Sequence, residues 1–239
     1  MKLLLLLCCT ILTAALLPGC MSADVQKQLD SLSAKQDSII NVLKTMENQT
    51  DFIAKKVGWE PPEDTMPKNI PLASSYYQGA EKPVMTVVEF TDFECPYCAQ
   101  VAPVLDSLVR TYPNQVRVVF KHFPLNFHKQ ARSAHAAALA AGKQGRFFDY
   151  RYKLAKHFRS LSDSTYISVA QEIGLDVEEF KANMALTQED EQIINRDLEL
   201  GRELGVRGTP TLYANGKKVG DRSFAGFQQL LKSFGGNPG

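Results

Sequence analysis

The sequence predicts an α/β domain that carries an inserted helical segment and is preceded by a long amphipathic helix. Three observations lead there. An apolar run at 84–90 delivers Cys95-Pro96-Tyr97-Cys98 to a point where a strand gives way to a helix. A second strand at 116–120 and a hairpin at 211–219 are separated by a mostly helical stretch. Ahead of all of these, Val25, Leu29, Leu32, Gln36, Ile39, Leu43, Met46, Thr50, Ile53 and Val57 recur alternately four and three residues apart, the seam of a heptad repeat.

At the N-terminus, Lys2 followed by the apolar stretch 3–17 reads as a targeting segment, too short to span a bilayer comfortably, and 1–19 is expected to be removed. Leu17-Pro18-Gly19-Cys20 resembles the lipobox of bacterial lipoproteins, so Cys20 is expected to become an acylated mature N-terminus; an ordinary secretory signal with a chance cysteine is the alternative. Two or three acyl chains, at roughly 0.8 kcal/mol per buried CH₂, hold a protein on a membrane where one does not. The expected location is therefore the cell envelope, lipid-anchored and facing the periplasm, an oxidising compartment. Met21 in place of Asp after Cys20 favours the outer membrane over the inner.

The chain has 27 basic and 26 acidic residues, a net charge of +1, which gives no basic surface for nucleic acid. With 239 residues and 44% hydrophobic composition there is material for one sizeable core and an appendage. Neither an internal repeat nor a phosphate-binding glycine loop is present.

The arm, 20–57, has no Gly or Pro between Ser22 and Val57, and a helix of about 50 Å follows from its length. Such a helix cannot bury its own stripe. Self-association into a homo-oligomer is favoured, with folding back on the domain or lying on lipid as alternatives; mixed charges argue against a basic membrane-binding face. Gly58-Trp59-Glu60-Pro61-Pro62 ends the helix, and 58–83 reads as a Pro-containing linker. The domain is expected over 84–239, with a helical insert at about 126–187. Helices are predicted at 131–141, 147–158, 165–173 and 177–186. Thr187-Gln188-Glu189-Asp190 has the spacing of a capping box before a helix that runs toward Gly205. Asn215-Gly216 joins the hairpin strands.

Of five cysteines, Cys8 and Cys9 fall in the targeting segment and Cys20 has its own use, which leaves Cys95 and Cys98. A C-x-x-C at a helix start is a dithiol redox site, or half of a soft-metal site. His122, His128, His135 and His157 are the four imidazoles, and none has a convincing ligand spacing with Cys98, so no metal is expected.

Glu89-Phe90-Thr91-Asp92-Phe93-Glu94-Cys95-Pro96-Tyr97-Cys98, His122-Phe123-Pro124-Leu125 and Gly205-Val206-Arg207-Gly208-Thr209-Pro210-Thr211 resemble the DsbA-like branch of the thioredoxin superfamily, over about 70–234. The resemblance implies a thioredoxin fold with an inserted helical domain. It implies Cys95 as nucleophile at the helix N-terminus, Cys98 as resolving thiol, and Pro96 in the first helical turn, where a missing N–H is harmless. A helix end supplies at most about 2 kcal/mol, roughly 1.5 pKa units, so the Cys95 pKa is expected below that of free cysteine. Tyr97 adds no positive charge, which implies a weaker oxidant than relatives with His there. Thr209-Pro210 matches the family's cis-proline loop, whose preceding residue pairs with substrate; a trans proline entering a strand is the alternative. Thr209, Pro210, Pro96 and Tyr97 are thus candidate substrate contacts. Glu89, six residues before Cys95, matches a buried acid that moves a proton to or from the resolving thiol, with a solvated carboxylate as the alternative. Asp92 and Glu94 read as local loop charges, and His122 as shaping a strand end.

The implied cofactor is none beyond a redox-active Cys95–Cys98 disulfide. Implied partners are unfolded or misoxidised exported proteins and a redox recycling partner. An oligomeric disulfide isomerase is favoured. A monomeric dithiol oxidase, or in a different class a metal-binding or scaffold lipoprotein, is the alternative.

Overall fold

The computed structural model describes residues 23–57, 67–73 and 75–238, and the chain divides into two compact units at residue 64. The targeting segment, Cys20 and Trp59 lie outside the described residues. The first unit is the helix α1 (Ala23–Val57), 35 residues long, with Asp24 in the first turn where it complements the helix dipole. Val25, Leu32, Ile39 and Met46 of the heptad stripe, and Val42 beside it, are exposed.

The second unit is built on a five-stranded sheet: β1 (Tyr77–Gly79), β2 (Met85–Thr91), β3 (Val116–His122), β4 (Thr211–Ala214) and β5 (Lys217–Lys218), in the order β1-β3-β2-β4-β5. β2 and β3 run parallel and are joined by the crossover helix α2 (Pro96–Thr111); the other pairings are antiparallel. As central strands they are buried on both faces, and their apolar runs are correspondingly continuous. One face of the sheet (Met85, Val87, Val116, Val118, Phe120) packs against α2 and the inserted helices. The other (Val88, Phe90, Val119) packs with Ile70, Phe123, Val206 and Tyr213.

The insert consists of α3 (Ala131–Lys143), α4 (Phe147–Ala155), α5 (Asp163–Glu172) and α6 (Val177–Asn183); α7 (Gln188–Glu203) returns the chain, and α8 (Phe224–Ser233) closes the fold beside α2. Ser162, Asp176 and Ser223 cap α5, α6 and α8 through their side-chain oxygens. The Thr187/Asp190 capping box forms in full. Asn215 and Gly216 both have positive φ, 47° and 82°, as the primed hairpin turn requires. A Cβ on Gly216 would also stand 2.4 Å from the Lys68 carbonyl oxygen.

Two differences from the sequence reading are physical. β1 and buried Ile70 lie within 58–83, the stretch read as a linker: Tyr77 pairs with Val119, and Tyr76 stacks on Phe147 with ring centroids 4.1 Å apart. A three-residue strand holding Gln78 and Gly79 has no alternation to detect. β3 also continues past Phe120 through Lys121 and His122, because each polar side chain finds a buried partner. Lys121 Nζ donates to Asp197 Oδ1 at 2.9 Å, and His122 Nδ1 lies 2.8 Å from His135 Nδ1 on α3.

Burial pushes His122 down to about 4 and His135 well below its usual value, so the pair is neutral and shares one N–H between the facing nitrogens. Unfolded, each imidazole takes a proton near pH 6.5. Their depressed folded values therefore contribute stability that is present above about pH 6.5 and lost as the pH falls through the folded values. The melting temperature should drop over that range, and a His122→Phe/His135→Leu double variant should remove most of the slope. An unchanged slope in the double variant would contradict a neutral buried pair.

Candidate active site

β2 ends at Thr91, and the turn Asp92-Phe93-Glu94 brings Cys95 to the N-cap of α2, with Pro96 next as the first helical residue. Cys95 takes extended backbone angles (φ −76°, ψ 121°), and its N–H donates to the Asp92 carbonyl at 3.2 Å. Cys95 and Cys98 are free thiols, each 4% exposed. Cys95 Sγ lies 3.3 Å from the Thr209 carbonyl oxygen, and the Asp92 N–H donates to Cys98 Sγ at 3.5 Å. The Thr209–Pro210 bond is cis, as the resemblance implies. The structure thus brings together Cys95, Pro96, Tyr97, Cys98, Thr209 and Glu89. Tyr97 is 62% exposed on the rim.

The two thiols are driven apart. The Cys95 thiol is pushed down to about 5, chiefly because the Cys98 thiol donates to its sulfur; the Thr209 side-chain hydroxyl and the backbone N–H groups of Cys98 and Tyr97 add to this, and burial opposes it. The Cys98 thiol is pushed up, first by burial, then by the hydrogen bond it gives Cys95 and by the charges of Glu89 and Cys95. The expectation of a lowered Cys95 holds, while the largest contribution comes from the second thiol rather than the helix end. Such an arrangement holds a nucleophilic thiolate beside a protonated thiol at neutral pH.

Glu89 is fully buried, not solvated. Burial raises its pKa, against the Arg151 guanidinium and the Thr91 hydroxyl, which lower it. Arg151, on α4, forms an ion pair with Glu89 inside the core, and its guanidinium lies over the Tyr152 ring, 4.7 Å from the centroid. The sequence reading missed it. A signal was present: Arg151 occupies the apolar stripe of α4, three or four residues from Phe147, Phe148, Leu154 and Ala155, where a charge needs a buried partner.

Asp92 is not a loop charge. It is fully buried and accepts from the N–H groups of Glu94 (2.8 Å) and Leu125 (2.7 Å), with His128 Nδ1 at 2.9 Å. It thereby ties the 123–128 loop to the cysteine turn. Glu94 accepts from the Gln130 N–H at 2.6 Å, at the start of α3. Among the described residues no three His, Cys, Asp or Glu side chains cluster as a metal site would require.

The chain belongs to the thioredoxin family, whose model matches residues 73–233. Solved structures share the fold. A thioredoxin-like oxidoreductase from Silicibacter pomeroyi is 28% identical, with TM-score 0.59, over 67% of this chain and 92% of that one. A periplasmic thioredoxin-like protein from Salmonella enterica serovar Typhimurium is 26% identical, with TM-score 0.60, over 70% and 98%. The thiol-disulfide exchange protein α-DsbA2 from Wolbachia pipientis is 23% identical, with TM-score 0.60, over 67% and 87%. Among curated proteins, the Na(+)/H(+) antiporter NhaA 3 of Salinispora tropica is 34% identical over 144 residues, 60% of this chain. The chain spans about a fifth of that antiporter's length, 22%, and the transport in its name is said of that protein. No helix among the described residues is long and apolar enough to cross a membrane. The fold is that of the DsbA-like thiol-disulfide oxidoreductases.

In the reduced protein the ultraviolet thiolate signal of Cys95 should titrate near pH 5, and Cys98→Ala, by removing the donor, should move the midpoint upward. Because the folded value is depressed, the matching stability is full above the unfolded cysteine range and is lost as the pH falls through about 5. A midpoint at or above that of free cysteine would exclude Cys95 as nucleophile.

Proposed function

We propose that this protein is a thiol-disulfide oxidoreductase of exported proteins, acting as an oligomeric disulfide isomerase. The observation that carries the reading is the split between the thiols: a lowered Cys95 at the helix start, against the Thr209 carbonyl, above a raised Cys98. The Cys95 thiolate attacks one sulfur of a substrate disulfide; a Cys95–substrate bond forms and the other substrate sulfur leaves as thiolate. Either a second substrate thiol then attacks the mixed disulfide, which rearranges the substrate, or Cys98 attacks Cys95. The latter step releases reduced substrate and leaves a Cys95–Cys98 disulfide carrying the two-electron oxidation. That disulfide is the redox group, and a recycling partner must reduce it.

The Thr209 backbone, once released from Cys95, can pair with an extended substrate, with Pro96, Tyr97 and Pro210 beside it. In this reading Glu89, whose charge acts on the Cys98 thiol, exchanges a proton with it. Lipid anchoring through Cys20, periplasmic exposure and attachment to the outer membrane complete the proposal. The exposure of Val25, Leu32, Ile39 and Met46 on α1 supports self-association, which would set several active sites around one client. A dithiol oxidase is the second reading, and the lowered Cys95 favours it, because a stabilised thiolate makes the disulfide more oxidising.

The test compares the protein from residue 22 onward with its Leu32→Glu/Ile39→Glu variant, in light scattering and in refolding of scrambled ribonuclease. The parent should be oligomeric and unscramble the substrate, and the variant should be monomeric and about tenfold slower while still exchanging disulfides with a peptide. Equal unscrambling by a monomeric variant would turn the reading to a monomeric oxidoreductase. Tight metal binding without disulfide exchange would replace it with the metal-binding one.

A further inference from the structure

The inserted segment does more than cover the sheet: it delivers a cation to the carboxylate beneath the thiols. Glu89 and Thr91 alternate with Phe90 along β2, so both point to the face occupied by α2 and the insert. From α2 the groups facing Glu89 are Cys95 and Cys98, from its own strand Thr91, and from α4 Arg151 and Tyr152. Its register neighbours on β3 and β4 are the apolar Phe120 and Leu212. Lys121, the nearby cation on β3, is committed to Asp197 at 2.9 Å. The charge that answers Glu89 is Arg151.

Arg151 is itself fixed. Its guanidinium lies over the rings of Phe120, Phe148 and Tyr152, with centroid distances of 5.5, 5.9 and 4.7 Å, and the contact to Glu89 joins Nη2 to Oε2. Oε1 has no hydrogen-bond partner among the described residues, so one carboxylate oxygen is held while the other has a lone pair for a proton. The Thr91 hydroxyl, on the same face of β2 as Glu89, lowers the pKa of both the Glu89 carboxyl and the Cys98 thiol.

We propose that Arg151 is a positioning residue that orients the Glu89 carboxylate and sets the pH at which it can take the Cys98 proton, so that the insert controls the resolving step and not the Cys95 attack. In that step the Cys98 S–H proton passes to the Glu89 carboxylate. The Cys98 thiolate then attacks Cys95 in the mixed disulfide, the Cys95–Cys98 bond forms, and the substrate sulfur leaves as thiolate with its electron pair. The inference rests on the thiol-exchange reading. Without Arg151 the buried Glu89 keeps its proton to higher pH, and one pH unit in that ionisation is tenfold in the base available.

The full protein, reduced, is mixed with glutathione disulfide, and two events are timed across pH: uptake of glutathione on Cys95 and its release as the Cys95–Cys98 disulfide closes. In Arg151→Met the release limb should move to higher pH, with release about tenfold slower near neutrality and uptake altered less than about twofold. Arg151→Lys should restore most of the shift. Carboxyl carbon NMR of Glu89 in wild type and Arg151→Gln reads the same ionisation should the Met variant fold poorly, and its midpoint should rise as the positive charge is removed. An unmoved release limb and Glu89 midpoint, or uptake and release slowed equally, would overturn the proposal. No uptake by wild-type Cys95 would overturn the exchange reading with it.

Discussion

Two sulfurs one helical turn apart, one at the open end of α2 and the other beneath it, compete for the same proton density. The Cys98 thiol donates to Cys95, and in doing so stabilises one thiolate while raising the cost of a second. The structure around the pair holds that inequality in place. The parallel β2–β3 core fixes where α2 begins, Pro96 fills the first-turn position that needs no N–H donor, and Asp92 locks the turn between strand and helix to the 123–128 loop. A sulfur held this way can be negative at neutral pH without a neighbouring cation, which is how Tyr97 can occupy a place where a positive group would otherwise serve.

The price is a core unusually rich in ionisable groups. Glu89–Arg151 and His122–His135 are buried on the sheet face that carries Phe120, and Lys121–Asp197 on the opposite face. The two buried ion pairs contribute little net stability compared with apolar packing, whereas breaking one by removing a single partner costs about 3–5 kcal/mol. Their value here is placement. Each of the three pairs joins β2 or β3 to a later helix: His122 to His135 of α3, Glu89 to Arg151 of α4, and Lys121 to Asp197 of α7. The inserted helices are thereby held in register with the strands that carry the thiols, and a change in the insert is felt at Glu89.

The strand–turn–helix carrying Cys95 and Cys98, the Thr187/Asp190 capping box and the Asn215-Gly216 hairpin were legible because each is local, its physics contained within a few consecutive residues. The cis Thr209–Pro210 bond was legible only through resemblance, since the sequence around a proline does not specify the isomer. What stayed hidden is long-range. β1 is too short and polar to show a strand period, and it exists because β3 offers it an edge. Asp92 reads as one more polar loop residue until the loop at 123–128 closes on it. His135 sits in an alanine-rich run with no nearby ligand pattern, and its partner is thirteen residues away on a strand. Arg151 could have been flagged as a charge on an apolar stripe, but its partner Glu89 is 62 residues distant.

The most direct test of unequal thiols is to trap the mixed disulfide. A Cys98→Ala protein incubated with a misoxidised substrate should accumulate a covalent adduct through Cys95, visible by mass spectrometry and dissolved by reductant, while Cys95→Ala should form little or none. Adducts forming equally well through Cys98 in the Cys95→Ala protein, or through neither cysteine, would contradict the account.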